Sequence, residues 1–388
     1  MNYRAQNEYC CDYYWSNEKT FELSINQLID QIQNEKKVSR LVFFGKTTDE
    51  TYESELNYIK TQVGKSFEKK PPLVTYVAQP VLGECSYAVE IHYLRNTPVK
   101  MNIEYKEFED VQYLVIDSDD RRSVLIGGVR SDLSNSIRKQ SDDIFRKIET
   151  ILSDEHLHIE DIVRQWNYIG RITALEDNVQ NYQAFNDARS IFYNKADWSK
   201  HGYPAATGIG MDCAGVIVEL IATQQKSKAV QIKPIDNPMQ IAAHKYSQEV
   251  LIGKNDERLC NKSTPKFERA KAVSCEHGYT CFVSGTAAIR GEDSLTGKSC
   301  ACQTNMTIEN IDLLISGDNL EKYGIHINEA APMDFARVYV KNANEYKETQ
   351  ECVNNKWKKV KALYVKADVC RDELLVEIEG MASSRFYV

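Results

Sequence analysis

The segment Cys370-Arg-Asp-Glu-Leu-Leu-Val-Glu-Ile-Glu379 sets two carboxylates, Glu377 and Glu379, two residues apart in an apolar run. In a β-strand, residues two apart share a face, so both acids would point one way and Val376 and Ile378 the other. A carboxylic acid in a partly buried setting keeps its proton to higher pH and can serve as a general acid. The plainer alternative is an edge strand with solvated acids, because most carboxylates are exposed. Tyr203-Pro-Ala-Ala-Thr-Gly-Ile-Gly210 reads as a small-residue turn. Its glycines would let a ligand come close to the backbone, although a plain turn explains the same residues. Ser284-Gly-Thr-Ala-Ala-Ile-Arg-Gly291 is a similar stretch after a strand, with a β-bulge or tight loop as its ordinary reading. Arginine pairs bidentately with carboxylates. Arg171, Arg189, Arg269, Arg337 and Arg371 are therefore candidates for holding an anion, each with an exposed surface charge as the alternative.

Other chemistries are poorly supported. Cys260, Cys275, Cys281, Cys300 and Cys302 lack paired C-x-x-C knuckles, so no metal is expected and buried free thiols fit better. The chain contains no Walker A, dinucleotide G-x-G-x-x-G, G-x-S-x-G or H-E-x-x-H pattern, and no cofactor is expected. Lys and Arg number 48 against 56 Asp and Glu, a net charge of −8, so a nucleic-acid partner is not expected. No apolar run approaches the length needed to span a bilayer, and the richest, Val216 to Ala222, is interrupted by Glu219. The first residues, MNYRAQNEYCCDYYW, have no apolar signal core. Eleven scattered cysteines, an odd number, suit a reducing compartment. A cytoplasmic protein with no membrane partner is the expectation.

The elements that must position these residues read as α+β. With 388 residues, 42% hydrophobic and 27% charged, the chain has an ordinary globular composition and room for more than one domain. Tyr87–Tyr93 and Val111–Ile116 read as strands. Ile137, Ile144, Ile148 and Ile151 fall at helical spacing between Ser134, a candidate N-cap, and Leu152. A second helix is expected from Thr304 to Ile315, ending near Gly317. An internal repeat links Ile126-Gly-Gly128 to Val283-Ser-Gly285, and Cys213 to Cys370, both at an offset of 157. Asn167-Tyr-Ile169 matches Val338-Tyr-Val340 at a shift of 171, so loop lengths differ between the copies. The expected division is an extension at 1–40, a first domain at 41–225 and a second at 226–388. A site would lie at the seam between copies, where clefts form.

Five stretches together carry a family resemblance: Arg164-Gln-Trp-Asn-Tyr-Ile-Gly170, Tyr182-Gln-Ala-Phe-Asn-Asp-Ala-Arg189, Tyr203–Gly210, Ser284–Ile289 and Cys370–Glu379. As a set they resemble the chorismatases over residues 110–388, whereas residues 1–100 match loosely. The resemblance implies two tandem YjgF/RidA-like (chorismate-mutase-like) domains, the N-terminal copy degenerate. It implies chorismate as substrate and loss of its enolpyruvyl group as pyruvate. Glu377 falls where the family has its catalytic acid, and Glu379 would raise its neighbour's pKa or simply line the pocket. Arg269, Arg371 and Arg189 would hold the two substrate carboxylates, while Tyr203, Thr207, Gly208 and Ala288 would shape the ring pocket.

Two outcomes occur in the family. Hydrolysis yields a dihydroxy-cyclohexadiene carboxylate. An intramolecular route yields 3-hydroxybenzoate, and in some members 4-hydroxybenzoate as well. Cys370, seven residues before Glu377, matches the benzoate-forming type; Ala287-Ala288 departs from it, since that type tends to have a glycine nearby. The balance favours 3-hydroxybenzoate. The assembly would be a monomer or a homotrimer. RidA-like imine or enamine hydrolysis is the alternative, but its strand arginine is replaced by Ala362. A non-catalytic ligand-binding relative is a further alternative, against which the intact Glu377 and Cys370 stand.

Overall fold

Three times along the chain, β-branched and aromatic runs alternate with helices, and each set builds one sheet. The computed structural model describes residues 9–32, 37–68, 70–94, 100–176, 178–213, 215–251, 256–276, 278–326 and 333–385. The first unit comprises β1 (Tyr9–Ser16), α1 (Phe21–Ile32), β2 (Val38–Gly45), α2 (Tyr52–Phe67), β3 (Leu73–Val77) and β4 (Tyr87–Leu94), with sheet order β1-β4-β2-β3. The second comprises β5 (Asn102–Phe108), β6 (Val111–Asp117), β7 (Arg121–Val129), α3 (Ile137–Asp154), β8 (Ile162–Gly170), the short pair β9 (Leu175–Glu176) and β10 (Val179–Gln180), α4 (Asn181–Tyr193), β11 (Ala205–Met211) and β12 (Val216–Gln225). The third comprises β13 (Gln231–Ile235), β14 (Ala270–Cys275), β15 (Gly278–Ala287), the short pair β16 (Ile289–Arg290) and β17 (Asp293–Ser294), α5 (Cys300–Leu314), α6 (Gly317–Glu321), β18 (Met333–Val340), α7 (Tyr346–Lys356), β19 (Lys361–Lys366) and β20 (Val376–Arg385).

The two six-stranded sheets share one connectivity. The second runs β5-β6-β7-β12-β8-β11 and the third β13-β14-β15-β20-β18-β19. In both, a parallel outer pair is joined by a helical crossover, the connection that parallel strands require. Among the described residues the first sheet has the same arrangement without an opening hairpin: β1, β4, β2 and β3 occupy the places of β15, β20, β18 and β19. The segment expected as an extension therefore supplies β1 and α1. Its helix buries Ile25, Leu28, Ile29 and Ile32, while the aromatic crowding of YCCDYYWS hides the alternation that would mark a strand. The range expected as one domain, 41–225, holds most of one sheet and all of another. The join between the second and third sheets lies between Gln225 and Gln231.

A continuous core draws Phe43, Phe44, Trp166, Tyr168, Phe335 and Tyr339 from all three sheets. Fully burying one large apolar side chain contributes about 1.5–3 kcal/mol, so the units stabilise one another. Separate cores lie beneath α3 and α4 and beneath α5 and α7. Among the described residues, no helix is long and apolar enough to cross a membrane.

The local elements largely follow the pattern, with three corrections. Ser136, two residues beyond Ser134, caps α3 by accepting from the Lys139 N–H. Residues 203–210 are not a turn; Ala205–Met211 is the outer strand of the second sheet, parallel to β8. Its small residues answer crowding, since a Cβ on Gly210 would lie 2.8 Å from the Asp368 carbonyl oxygen. Finally, β20 is a central strand between β15 and β18, not an edge, which removes the solvated-acid alternative.

Candidate active site

The second and third units meet where β11 faces β15, and a cleft with about 740 Å³ of space opens there. Its walls come from β11 (Ala206, Gly208), β15 (Gly285, Ala287), the start of α4 (Tyr182, Gln183, Asn186), the turn before β20 (Cys370, Arg371, Leu374) and the long connection between β13 and β14 (Tyr246, Phe267, Arg269). Glu377 lines its floor.

Glu377 is only 5% exposed, and among the described residues its carboxyl has no hydrogen-bond donor in reach. Burial, reinforced by the negative charge of Glu379 and opposed by Arg164 and Arg269, pushes its pKa up to about 8. The acid therefore carries its proton at neutral pH. A bulge in β15 between Val283 and Thr286 brings Gly285 against it. A Cβ at that glycine would sit 2.0 Å from Glu377 Oε1. The bulge reading of Ser284–Gly291 thus applies at its first two residues.

Glu379 has the opposite surroundings. It is 2% exposed, and Arg164 and the Thr207 hydroxyl donate to one of its oxygens. Arg337 Nη1 at 3.1 Å and the Tyr339 hydroxyl at 2.7 Å donate to the other. Arg164 belongs to the second unit and Glu379 to the third. The same exchange recurs: Arg40 of the first unit meets Glu219 of the second at 3.7 Å, and Arg337 of the third binds Glu90 of the first. Three arginines on equivalent strands, β2, β8 and β18, thereby pair around a closed ring with acids on β12, β20 and β4.

Two cations line the same cleft. Arg269 donates to the Ile241 carbonyl at 2.6 Å and the Tyr246 hydroxyl at 2.7 Å, and its buried Nε has no partner among the described residues. Arg371 donates to the Glu292 carbonyl at 2.8 Å and Ser294 Oγ at 3.0 Å. The Tyr246 ring lies between them, 5.6 Å from Arg269 and 5.3 Å from Arg371. A guanidinium carries five N–H donors, so both retain donors for an anion. Cys370 lines the same cleft; burial, then the Glu377 charge, lifts its thiol to about 12, which keeps it a neutral thiol.

The expected site residues divide accordingly. Glu377, Cys370, Arg269, Arg371 and Gly208 line the cleft. Arg189 stands behind the wall, donating to Asn186 Oδ1 at 2.6 Å and packed on Phe185. Tyr203 packs among Tyr193, Trp198 and His244, and its backbone N–H is held by Glu268 at 3.0 Å. The buried Lys271 donates to the carbonyls of Gly202 and Tyr203, fixing the entry to β11. Thr207 turns its hydroxyl into the ring instead of the cleft. Ala288 is wholly buried, and its neighbour Ala287 lines the cleft in its place. Of the other arginines considered, Arg171 makes an exposed pair with Asp49 and Arg337 belongs to the ring. Tyr246, Phe267 and Asn186 escaped the sequence reading. The first two sit in an irregular connection without periodicity; the third lay inside a family stretch that suggested only its arginine.

Metal-type side chains come together at Cys11, Glu90 and His92. Arg337 engages both Glu90 oxygens and Arg40 approaches His92 Nε2 at 2.8 Å, so two guanidinium groups already stand where a cation would bind. Between 260 and 302, Cys281 and Cys300 are buried, Cys260 and Cys302 exposed.

Residues 99–222 match the family described as Chorismatase FkbO/Hyg5-like, N-terminal. The 3-hydroxybenzoate synthase of Streptomyces hygroscopicus is 28% identical over 236 residues, covering 58% of this chain and 65% of that protein. A chorismatase of Streptomyces rapamycinicus is 28% identical over 228 residues, covering 57% and 64%. The match thus spans just under two thirds of these curated relatives' own length. A crystal structure of a chorismatase superposes with a TM-score of 0.71 at 18% identity, covering 96% of this chain and 98% of that one, which establishes the fold. By sequence in its middle unit and by fold over nearly its whole length, the chain is similar to the chorismatases.

Proposed function

We propose that the protein is a chorismatase that releases the enolpyruvyl group of chorismate as pyruvate and forms 3-hydroxybenzoate. One observation carries this reading: Glu377 is buried, protonated at neutral pH and without an internal hydrogen-bond donor among the described residues, on the floor of a cleft that Arg269 and Arg371 also line. An enol ether is cleaved by protonating its methylene carbon, which leaves an oxocarbenium centre beside the ether oxygen. That step needs a carboxylic acid that still holds its proton near pH 7. Chorismate has two carboxylates, and the two arginines about Tyr246 supply matching donors.

In the benzoate-forming route no water is consumed. The bond from the ring carbon to the ether oxygen breaks, and pyruvate leaves with that oxygen and the proton added to its methylene; the neighbouring ring hydroxyl supplies the oxygen kept on the ring, loss of one ring proton makes the ring aromatic, and chorismate equals the sum of the two products. Neutral Cys370 beside Glu377 agrees with that route, and the name of the Streptomyces hygroscopicus relative supports it. In the hydrolytic route a water would add instead.

The finer architecture belongs to the same reading. The three sheets are copies of one YjgF/RidA-like domain, the first reduced by its opening hairpin, joined so that one chain supplies all three seams. This favours a monomer over a homotrimer.

Incubation with chorismate, with pyruvate quantified and the ring products separated, tests the proposal. Wild type should release equal amounts of pyruvate and 3-hydroxybenzoate, while Glu377→Gln should release neither above background. Pyruvate with a non-aromatic diol would reverse the product assignment. No pyruvate from a folded wild type would end the chorismatase reading.

A further inference from the structure

We propose, resting on Glu377 as the acid, that Glu379 is a positioning residue of the reaction: an anion fixed by the ring that holds Glu377 in its protonated form.

Hydrogen-bond bookkeeping fixes the ionisation of Glu379. Two of its four partners, Arg164 and Arg337, are guanidinium groups, which have no acceptor. A third, Thr207, receives the Arg164 Nη2–H at 2.8 Å and the Gly285 N–H at 3.0 Å. A hydroxyl has two acceptor positions and one proton. Both positions are in use, so the Thr207 proton can only go to Glu379. A neutral Glu379 would set its own proton against these donors, with only the Tyr339 oxygen able to turn toward it. Glu379 is therefore the carboxylate. Glu377, two residues earlier on the same strand face, has no such donors and takes the proton.

The groups facing Glu377 come from every neighbouring element. Glu379 lies on β20 itself, Tyr339 on β18 is the cross-strand partner of Glu377, and Arg164 projects from β8. Arg269 approaches from the residue before β14, Cys370 and Arg371 from the turn before β20, and Tyr182 from α4. Of these, Glu379 is the nearby anion, and the arginines act against it. Its effect is second only to burial in raising the acid.

The other two acids of the ring provide the contrast. Two residues before Glu219 is Ile217, and two before Glu90 is Ala88; both are buried and apolar. All three ring acids close an ion pair between units, but only Glu379 has a second acid beside it facing a cleft. A purely architectural role would give no reason for that placement.

The test uses the full-length protein with Glu379→Gln. The amide's N–H group would face Arg164, donor against donor, so Arg164→Met combined with Glu379→Gln is the second variant. In it the amide oxygen still accepts from Tyr339 and Arg337 while its nitrogen donates to Thr207. Carbon-13 carboxyl NMR, with the Glu377 signal identified by its loss in Glu377→Gln, follows the acid without substrate. Its midpoint should fall in both variants, by more in the single one. In turnover, kcat/KM of Glu379→Gln should drop about tenfold or more at pH 8 but less than about threefold at pH 5.5, where the acid is protonated in both proteins. An unchanged midpoint in a folded variant would overturn the proposal, and so would an equal loss at every pH. A shifted midpoint in a wild-type background that leaves chorismate intact would instead retire the substrate assignment and leave Glu379's role standing.

Discussion

The seam between the first and second units and the seam between the second and third are built alike, yet one is closed and the other open. In the first, β3 meets β7; in the second, β11 meets β15. Thr75 and Thr207 hold matching places, each opposite the residue two beyond a ring arginine. Each also reaches the ring acid of the next unit, Glu219 or Glu379. One position further along, the seams part. Tyr76 stacks on Tyr52, the first residue of α2, with centroids 5.5 Å apart and planes 5° from parallel. Arg130 covers the Tyr52 ring from 5.4 Å. At the matching place in the second seam stands Gly208, beneath Tyr182 near the start of α4. The missing side chain is the cleft. At one strand position the common scaffold thus has Gly where the cleft opens and Tyr where the seam is closed.

Gly208→Tyr carries the closed seam's residue into the open one and should have the largest effect. A Cβ alone would lie 2.9 Å from Tyr182 Cε2, so the ring must enter the cleft. Turnover of chorismate should fall at least ~100-fold, as when reacting groups are displaced by about 1 Å, while circular dichroism stays native. Near-normal turnover would mean that the cleft is not where the reaction happens. Gly285→Ala tests the same wall from the other side. The added methyl must push the Glu377 carboxyl away, and a loss of about 100-fold in kcat is expected, since a general acid contributes roughly 10²–10⁴-fold. An unaltered rate would separate Glu377 from the chemistry.

The reverse exchange, Tyr76→Gly, should act on stability. Removing a buried aromatic side chain costs about 3–5 kcal/mol, read as a lower denaturant midpoint. It should confer no second activity, because Glu219, the counterpart of Glu379 in this seam, is already engaged by Thr75 at 2.7 Å and by Arg40, and the residue two before it is the apolar Ile217. A stability near wild type would show that the Tyr52–Tyr76 stack is not what seals the first seam. Cys370→Ala should change less still: the product ratio shifts more than the rate, and a fixed ratio would remove Cys370 from product choice.

The sequence made some of this contrast legible and hid the rest, for physical reasons. Period-two alternation exposes Glu377 and Glu379 as a pair on one face. It does not say that their strand is central, because that depends on which strands pair across 90 residues of chain. The repeat between Gly128 and Gly285 was visible as two small-residue strands. The first unit was not, since its described residues include no opening hairpin and its first strand is written in Tyr, Cys and Trp. Arg164 and Arg337 gave no sign of being wholly buried. A buried arginine makes sense only beside its carboxylate, and each partner here lies in a different unit. Thr207 was expected in the pocket from its place in a family stretch. A one-residue change of direction, fixed by strand pairing, sends its hydroxyl to Glu379 instead.

The smallest effect expected is a pH dependence of stability in which the two seams should differ. Glu377 binds its proton more tightly in the folded protein, near pH 8, than at the ordinary carboxyl value of 4.5. Below 4.5 both states hold the proton, and the favourable contribution is fully present. Between 4.5 and 8 the folded state holds one more proton than the unfolded, so stability falls as pH rises, by at most about 1.4 kcal/mol per pH unit. Above 8 the buried carboxylate is charged in the folded state and the contribution is gone. Glu377→Gln removes this slope. The variant should therefore gain stability relative to wild type on going from pH 5 to pH 8, in chemical denaturation at each pH. Glu219→Gln, in the closed seam, removes an acid tied to Arg40 and Thr75 and should produce no such gain. Parallel curves for wild type and Glu377→Gln would mean that the acid of the open seam is not held protonated, and the distinction between the two seams would reduce to the size of one side chain.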